Sequence, residues 1–280
     1  DRDTSQVRLS GWKVPIEHLS ASSIGMLIGC PEKWRLRYLQ KVKESTGVDK
    51  WIGIVDHNTH AENLSQKVRT GGDLPATEMH TIYDETWDRE LSDVLENEGE
   101  PNWIEEADST RSHGHLMMSV YHELVSPTVK PIAVETRFEE RFPGVPIPII
   151  GYVDVEEKGR LIERKTTKTR MSKPKPNWLL QGRLYSMVFA KPVEWQIVTR
   201  AKAPSICLPE TEPELRLEAG NVDNTVMLVE QATHMLNDLY LRYGPDRPWP
   251  ALGMLHPFMC GYCFAGPKAN FKCIAWKESE

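Results

Sequence analysis

Residues 146–166 read PIPIIGYVDVEEKGRLIERKT. Two runs of strand-forming residues, 146–156 and 160–166, flank a tight turn at Lys158-Gly159 and read as a hairpin. Side chains alternate faces along a strand, so Leu161, Glu163 and Lys165 share one face of the second run. The hairpin brings Asp154 of the first run beside Glu163. Two carboxylates on neighbouring strands make a hard oxygen site suited to Mg²⁺ or Mn²⁺. An ammonium two residues along can orient an attacking water and offset charge on a pentavalent phosphate. This is the equipment for metal-assisted phosphodiester hydrolysis. A surface hairpin with an exposed ion pair would carry the same letters, so the surroundings have to decide.

Working outward, 131–142 (PIAVETRFEERF) reads as a preceding strand, and its Glu135 could face the same site. A helix is expected over 176–190, where Gln181 and Tyr185, four apart, share a face and could contact a substrate phosphate. A strand over 193–201 and an amphipathic helix over 225–241 follow. Upstream, the pattern is helical. One helix starts with Ser22 or Ser23 as N-cap and carries Ile24, Leu27 and Ile28, and Pro31 opens a second. A third covers 51–67, a fourth turns Ile82, Trp87, Leu91 and Leu95 inward, and a fifth carries Leu116, Val120, Tyr121 and Leu124. Helices, a three-stranded meander, a helix, a strand and a helix predict an α/β core, a small mixed sheet flanked by helices. We expect a single domain: 1–130 mainly helical, 131–245 the core, and 246–280 a Cys-rich tail packing with Cys30.

Two further groups could carry chemistry. His57 lies four residues after Gly53 on the third helix, where a neutral imidazole could add a metal ligand; His60 is one turn on, with Glu62 nearby. Cys260 and Cys263 form a C-x2-C followed by Cys273, with Cys30 far upstream. Four thiolates suit either Zn²⁺ or an iron–sulfur cluster, and spacing does not separate the two. Cys207 reads as a structural thiol.

The five cysteines are an odd number in a long chain, which argues against a disulfide framework. No apolar run is long enough to span a membrane and the first ten residues are polar, so a cytoplasmic protein is expected. The formal net charge of −6 hides a segregation that matters more. Between Asp84 and Asp108 stand eleven acids and one base, whereas between Arg164 and Arg183 stand seven bases and no acid. Phosphate binding follows the local field, so the basic stretch remains a candidate nucleic-acid contact. Lys168, Arg170, Lys173, Lys175 and Arg183 would meet the backbone, and Trp178 could stack on a base or be a core residue.

Taken together, these motifs resemble the PD-(D/E)xK nuclease superfamily, and within it the Cas4/RecB-like exonucleases that carry an iron–sulfur cluster. The segment 19–34 (LSASSIGMLIGCPEKW) is similar to that group's first helix and first cluster cysteine. Gly53 to His57 resembles its G-x-x-x-H element, Gly151 to Asp154 its G-x-x-D strand, Glu163 to Thr166 its (D/E)-x-K-T strand, and Gln181 to Tyr185 its Q-x-x-x-Y helix. The resemblance implies that His57, Asp154, Glu163 and the Arg164 carbonyl hold the metal, that Lys165 positions or activates water, and that Gln181 and Tyr185 help hold DNA. It implies a structural [4Fe–4S] cluster on Cys30, Cys260, Cys263 and Cys273, and single-stranded DNA ends as substrate in repair, recombination, CRISPR adaptation or phage DNA processing, with protein partners there. Cys273 follows Cys263 at an interval at the long end of the group's pattern, and no G-x-x-x-x-G-K-[ST] P-loop occurs. The rival readings are a non-catalytic DNA-binding protein on this fold, a zinc-binding interaction module, and an endonuclease.

Overall fold

The computed structural model describes residues 11–44, 46–201, 203–209, 219–251, 260, 263–265 and 273. In chain order the elements are helices α1 (Ala21–Gly29), α2 (Pro31–Tyr38), α3 (Val48–Thr70), α4 (Ala76–Glu98) and α5 (Ala107–Leu124), then strands β1 (Ala133–Glu140), β2 (Ile149–Glu156) and β3 (Leu161–Thr167). Helix α6 (Pro176–Phe189), β4 (Val193–Thr199), β5 (Ser205–Cys207) and α7 (Ala219–Tyr243) complete the chain. The chain forms two compact units, one of Asp1–Glu44, Phe138–Gly151 and Glu218–Glu280, the other of Ser45–Arg137 and Tyr152–Leu217.

In the first unit, α1 opens on a capping box: Ser20 Oγ accepts the Ser23 N–H while Ser23 Oγ accepts the Ser20 N–H. The expected cap at Ser22 or Ser23 therefore falls two to three residues late; Ser23 is the reciprocal N3 partner. Cys30 ends α1 and begins α2, with Pro31 in the first turn. The 245–251 stretch is clasped onto α2. Trp249 stacks on Trp34 at 5.8 Å between ring centroids, and the Trp249 N–H donates to Glu32 at 2.8 Å. Arg35 bonds both Glu32 oxygens and the Pro245 carbonyl. Near it, Leu36, Ala265 and Cys273 form a small buried group against which Cys263 and Phe264 pack. The Cys263 N–H donates to the Cys260 carbonyl, closing the C-x2-C turn.

The five strands form one sheet in the order β1-β2-β3-β4-β5, mixed as expected: β2/β3 and β4/β5 are antiparallel and β3/β4 parallel. A parallel pair needs a crossover, and α6 supplies it. Strand β4 is buried along most of its length, its polar Gln196 and Thr199 included. Against the sheet lies a core built from α3, α4 and α5, in which the Trp51 ring sits 3.9 Å from Trp87 and 4.4 Å from Trp103. Gly114 lets α5 approach α4, since a Cβ there would lie 1.7 Å from the Tyr83 hydroxyl.

Two expected inward faces are rotated. Helix α4 buries Met79, Tyr83, Trp87 and Val94, leaving Leu95 42% exposed. Helix α5 buries Met117, Met118 and Tyr121, leaving Leu116 and Leu124 exposed. The aromatic and methionine side chains set the stripe, and a leucine one position off it is turned about 100° away. Cys207, read as a structural thiol, stands half-buried at the end of the short strand β5. Among the described residues no helix is long and apolar enough to cross a membrane.

A polar knot closes the far end of α3. Asp73 accepts from Lys67 Nζ at 2.8 Å, from Asn63 at 2.8 Å and from Ser126 Oγ at 2.6 Å. Burial pushes the Asp73 carboxyl up, but these donors outweigh it and hold its pKa below the ordinary 3.8. A carboxyl depressed by folding contributes stability that is full above the unfolded value and lost as pH falls through the folded one. We expect Asp73→Ala to cost about 2 kcal/mol near neutrality. In urea melts the gap to wild type should narrow at acid pH; a gap that is constant down to acid pH would count against an ionic role.

Candidate active site

The site is assembled from residues of α3, β1, β2, β3 and α6 that all lie in the second unit. The β2/β3 ladder pairs Val155 with Ile162 and Glu156 with Leu161, and continuing it sets Asp154 opposite Glu163. Here the Asp154 side chain enters the ladder: its Oδ2 accepts the Arg164 N–H at 2.7 Å. That bond fixes the carboxylate against the strand that bears Glu163 and Lys165.

His57 lies between two carboxylates. Its Nε2 is 2.7 Å from Glu135 Oε1 and its Nδ1 is 3.8 Å from Asp154 Oδ2. Burial pushes the imidazole toward neutrality, but the Glu135 hydrogen bond and both carboxylates outweigh it and raise its pKa. His57, Glu135 and Asp154 each offer a ligand atom within 4.8 Å of the others. Glu135 reaches this position with a φ of +52°, a left-handed conformation that costs a non-glycine residue of order 1–3 kcal/mol and tends to be kept where it aims a functional side chain.

Glu163 is 2% exposed. Its Oε1 accepts from Lys165 Nζ at 2.6 Å and from Gln181 Nε2 at 2.7 Å, and Gln181 also donates to the Tyr185 hydroxyl at 2.9 Å. Its Oε2 is buried with no hydrogen-bond partner. Burial, with the neighbouring Asp154 charge, pushes the carboxyl up against the pull of Lys165. Burial works against the Lys165 ammonium, but Glu163 and Asp154 outweigh it and raise its pKa, so Lys165 is a cation at neutral pH. Burial and the Glu163 charge likewise push Tyr185 up, so it stays a neutral phenol.

Behind these groups stands a layer that spacing did not reveal. Arg164 points away from Glu163 and Lys165 and pairs with buried Asp56 at 2.8 Å. Its guanidinium lies 4.1 Å from the centroid of Tyr121, whose hydroxyl donates to Gln196 at 2.5 Å. His60 is buried beside Asp56 and the Tyr121 ring; burial and Arg164 push its pKa down to about 4, making it a neutral core residue. Gly53 explains its place one turn before His57: a Cβ there would meet Thr166 Oγ1 at 3.0 Å, so glycine lets α3 lie close to β3.

Of the expected ligands, the structure gathers His57 and Asp154 with Glu135, while Glu163 sits in the Lys165–Gln181–Tyr185 chain. Glu135, though noted on its strand, had no signal beyond alternation to rank it as a ligand. In the basic stretch, Lys168 pairs with Asp49 at 2.7 Å, and Arg170, Lys173 and Lys175 are exposed. Trp178 is half-buried and stacks on the core residue Trp195 at 5.8 Å, and Arg183 is half-buried on α6. Cys30, Cys260, Cys263 and Cys273 all belong to the first unit and form no disulfide.

A chain of this fold has been solved from Eubacterium rectale under the name "Putative exonuclease": TM-score 0.51 at 10% identity, covering 84% of this chain and 85% of that one. Another solved structure, SSO0001, aligns at 16% identity over 94% of this chain and 91% of that one, with a TM-score of 0.37. No curated protein matches the sequence. The profile of the PD-(D/E)XK nuclease superfamily matches residues 18–264, a span that takes in every group of the site just described. With most of the chain matched and the sheet carrying the acidic residues and lysine on adjacent strands, this protein belongs to the PD-(D/E)XK nuclease superfamily, whose members are divalent-metal nucleases.

Proposed function

We propose that this protein is a Cas4/RecB-like exonuclease that hydrolyses single-stranded DNA from its ends with Mg²⁺ or Mn²⁺. The observation that carries the reading is Glu163: a buried carboxylate held on one oxygen by Lys165 and Gln181, with the other oxygen unpartnered, beside the donor set of His57, Glu135 and Asp154. A buried oxygen with no partner is costly, and a cation is the partner this chemistry calls for. One imidazole among carboxylates fits Mn²⁺ or Mg²⁺.

His57, Asp154, Glu163 and the Arg164 carbonyl would hold the ion, with Glu135 as a further ligand. When bound, the ion supplies Lewis acidity toward the phosphate. Lys165 orients water and faces the charge that grows on the phosphate in the transition state. Gln181 holds the Glu163 carboxylate in place and, with Tyr185, offers polar contacts to the nucleotide. Lys168, Arg170, Lys173, Lys175, Trp178 and Arg183 would follow the strand. Repair, recombination, CRISPR adaptation or phage DNA processing in the cytoplasm, beside protein partners, is the setting this reading implies. The single-domain organisation expected from the sequence is part of it.

The test compares end-labelled linear and circular single-stranded DNA, with Mg²⁺, Mn²⁺ or EDTA, for wild type and Asp154→Asn. Metal-dependent shortening of linear strands, sparing circles and lost in the variant, is expected. Cut circles would move the assignment to an endonuclease. Intact DNA in every lane, from folded protein, would favour a non-catalytic DNA-binding role.

The same reading assigns Cys30, Cys260, Cys263 and Cys273 to a [4Fe–4S] cluster that ties the chain's ends together, with Zn²⁺ the alternative. Its support is the four-thiol set and the packing of Cys263 and Cys273 around Leu36, on the helix that Cys30 begins. Anaerobically purified protein should be brown, and Cys263→Ala should lose the colour and melt several degrees lower. A colourless protein with stoichiometric zinc would assign the site to zinc. An unchanged melting temperature in the variant would remove the structural role.

A further inference from the structure

We infer that a cleft at the carboxyl ends of β3 and β4 is a phosphate subsite, in which Lys168, Lys175 and Arg200 take a backbone phosphate of the DNA strand next to the one being cleaved. The inference rests on the nuclease reading and adds to it a place for the neighbouring nucleotide. The cleft encloses about 230 Å³ and is lined by Asp49, Ile52, Thr166, Thr167, Lys168, Thr169, Lys175 and Arg200. Three cations and three hydroxyls make this a surface of donors, the complement of an anion with several acceptor oxygens.

Its one carboxylate, Asp49, shows what the cleft prefers. Asp49 Oδ2 lies 2.7 Å from Lys168 Nζ, and Oδ1 bonds Arg200 Nη2. A carboxylate bridging two cations through its two oxygens imitates the two non-bridging oxygens of a phosphodiester. Arg200 is the best anchored of the three, whereas the Lys168 side chain is 61% exposed. The Arg200 N–H donates to the Thr167 carbonyl at 2.7 Å and its side chain is 17% exposed, whereas Asp49 is 50% exposed, on the first turn of α3. An incoming phosphate can therefore displace Asp49 while Arg200 stays in place and the more exposed Lys168 adjusts to it.

Position makes the cleft part of the same path. It starts at Thr166, the residue after Lys165. The Trp178 ring has Lys165 Nζ at 5.9 Å from its centroid and Lys175 Nζ at 5.2 Å, so one indole separates the lysine of the site from the wall of the cleft. A strand with its scissile phosphate at Lys165 can place an adjacent phosphate here. The competing account is a static surface triad, with Asp49 present for its favourable place at a helix N-terminus and the pairs adding little.

The two accounts predict different responses, a changed Kd against an unchanged one. Binding of a fluorescent single-stranded oligonucleotide would be followed by anisotropy with Ca²⁺ in place of Mg²⁺, over a NaCl series, for wild type, Arg200→Gln and Asp49→Asn, beside thermal melts. Arg200→Gln should raise Kd roughly tenfold and reduce the slope of log Kd on log salt by about 1. Asp49→Asn, which removes no cation, should lower Kd. Should Arg200→Gln fail to fold, the sign of the Asp49→Asn effect decides. Unchanged Kd and slope in the folded variants, or weaker binding by Asp49→Asn, would overturn the subsite while a wild type that still degrades DNA keeps the nuclease reading. A wild type that neither binds nor degrades DNA removes both.

Discussion

Lys165→Ala is expected to slow DNA cleavage by about 10²–10³-fold, the range seen when a group facing transition-state charge is removed, while DNA affinity changes little. The ammonium is held 2.6 Å from Glu163 and is 24% exposed, so it faces the site rather than the bulk solvent. Its neighbours keep it charged, which gives it the role of a fixed cation and not of a proton acceptor. Binding draws on many phosphate contacts, and cleavage on the few groups that face the reacting phosphate. Single-turnover cleavage and a separate Kd, measured with Ca²⁺, distinguish the two. Parallel loss of both would make Lys165 a binding residue and weaken its catalytic assignment. Lys165→Arg keeps the charge and should recover only part of the rate, because a planar fork does not reproduce a compact ammonium beside Glu163.

The largest expected effect on stability is at the ion pair behind the site. Asp56 and Arg164 are almost wholly buried, 2.8 Å apart. Removing one partner strands a charge in the core, so Asp56→Ala should cost about 3–5 kcal/mol. The position makes the loss more than structural. Asp56 precedes His57 on α3, and Arg164 stands between Glu163 and Lys165 on β3, so the pair couples the helix carrying one expected ligand to the strand carrying Glu163 and Lys165. Denaturant melts of Asp56→Ala, Arg164→Met and the double variant form a cycle. The double variant should be more stable than the two losses sum to, since neither charge is left alone. Strict additivity would show that the partners do not depend on each other.

Much of this molecule was legible from local pattern. The hairpin at 146–166 needed only alternation and a turn, and it held because a strand exposes its period of two directly in the sequence. The order of helices and strands, the mixed sheet, and the adjacency of Asp154 to Glu163 followed from the same rules. Gln181 and Tyr185 share a helix face at a spacing of four, and the structure joins them by a hydrogen bond. Helix faces were less legible. The rotation of α4 and α5 depends on which large side chains interlock, and Trp51, Trp87 and Trp103 meet from three separate segments.

What spacing along the chain determined, then, were the elements, the hairpin register and the residues able to do acid, base and metal chemistry, because those properties are set by neighbours within a few positions. Which of those residues meet was decided by tertiary structure alone. Glu135 comes to His57 through a left-handed turn of backbone inside β1. Asp56 finds Arg164 across 108 residues of chain, and Asp49 reaches Arg200 across 151. Side chains so far apart carry no mutual periodicity, and their pairing appears only once helix α3 is laid on the sheet, where Gly53 allows it to come close.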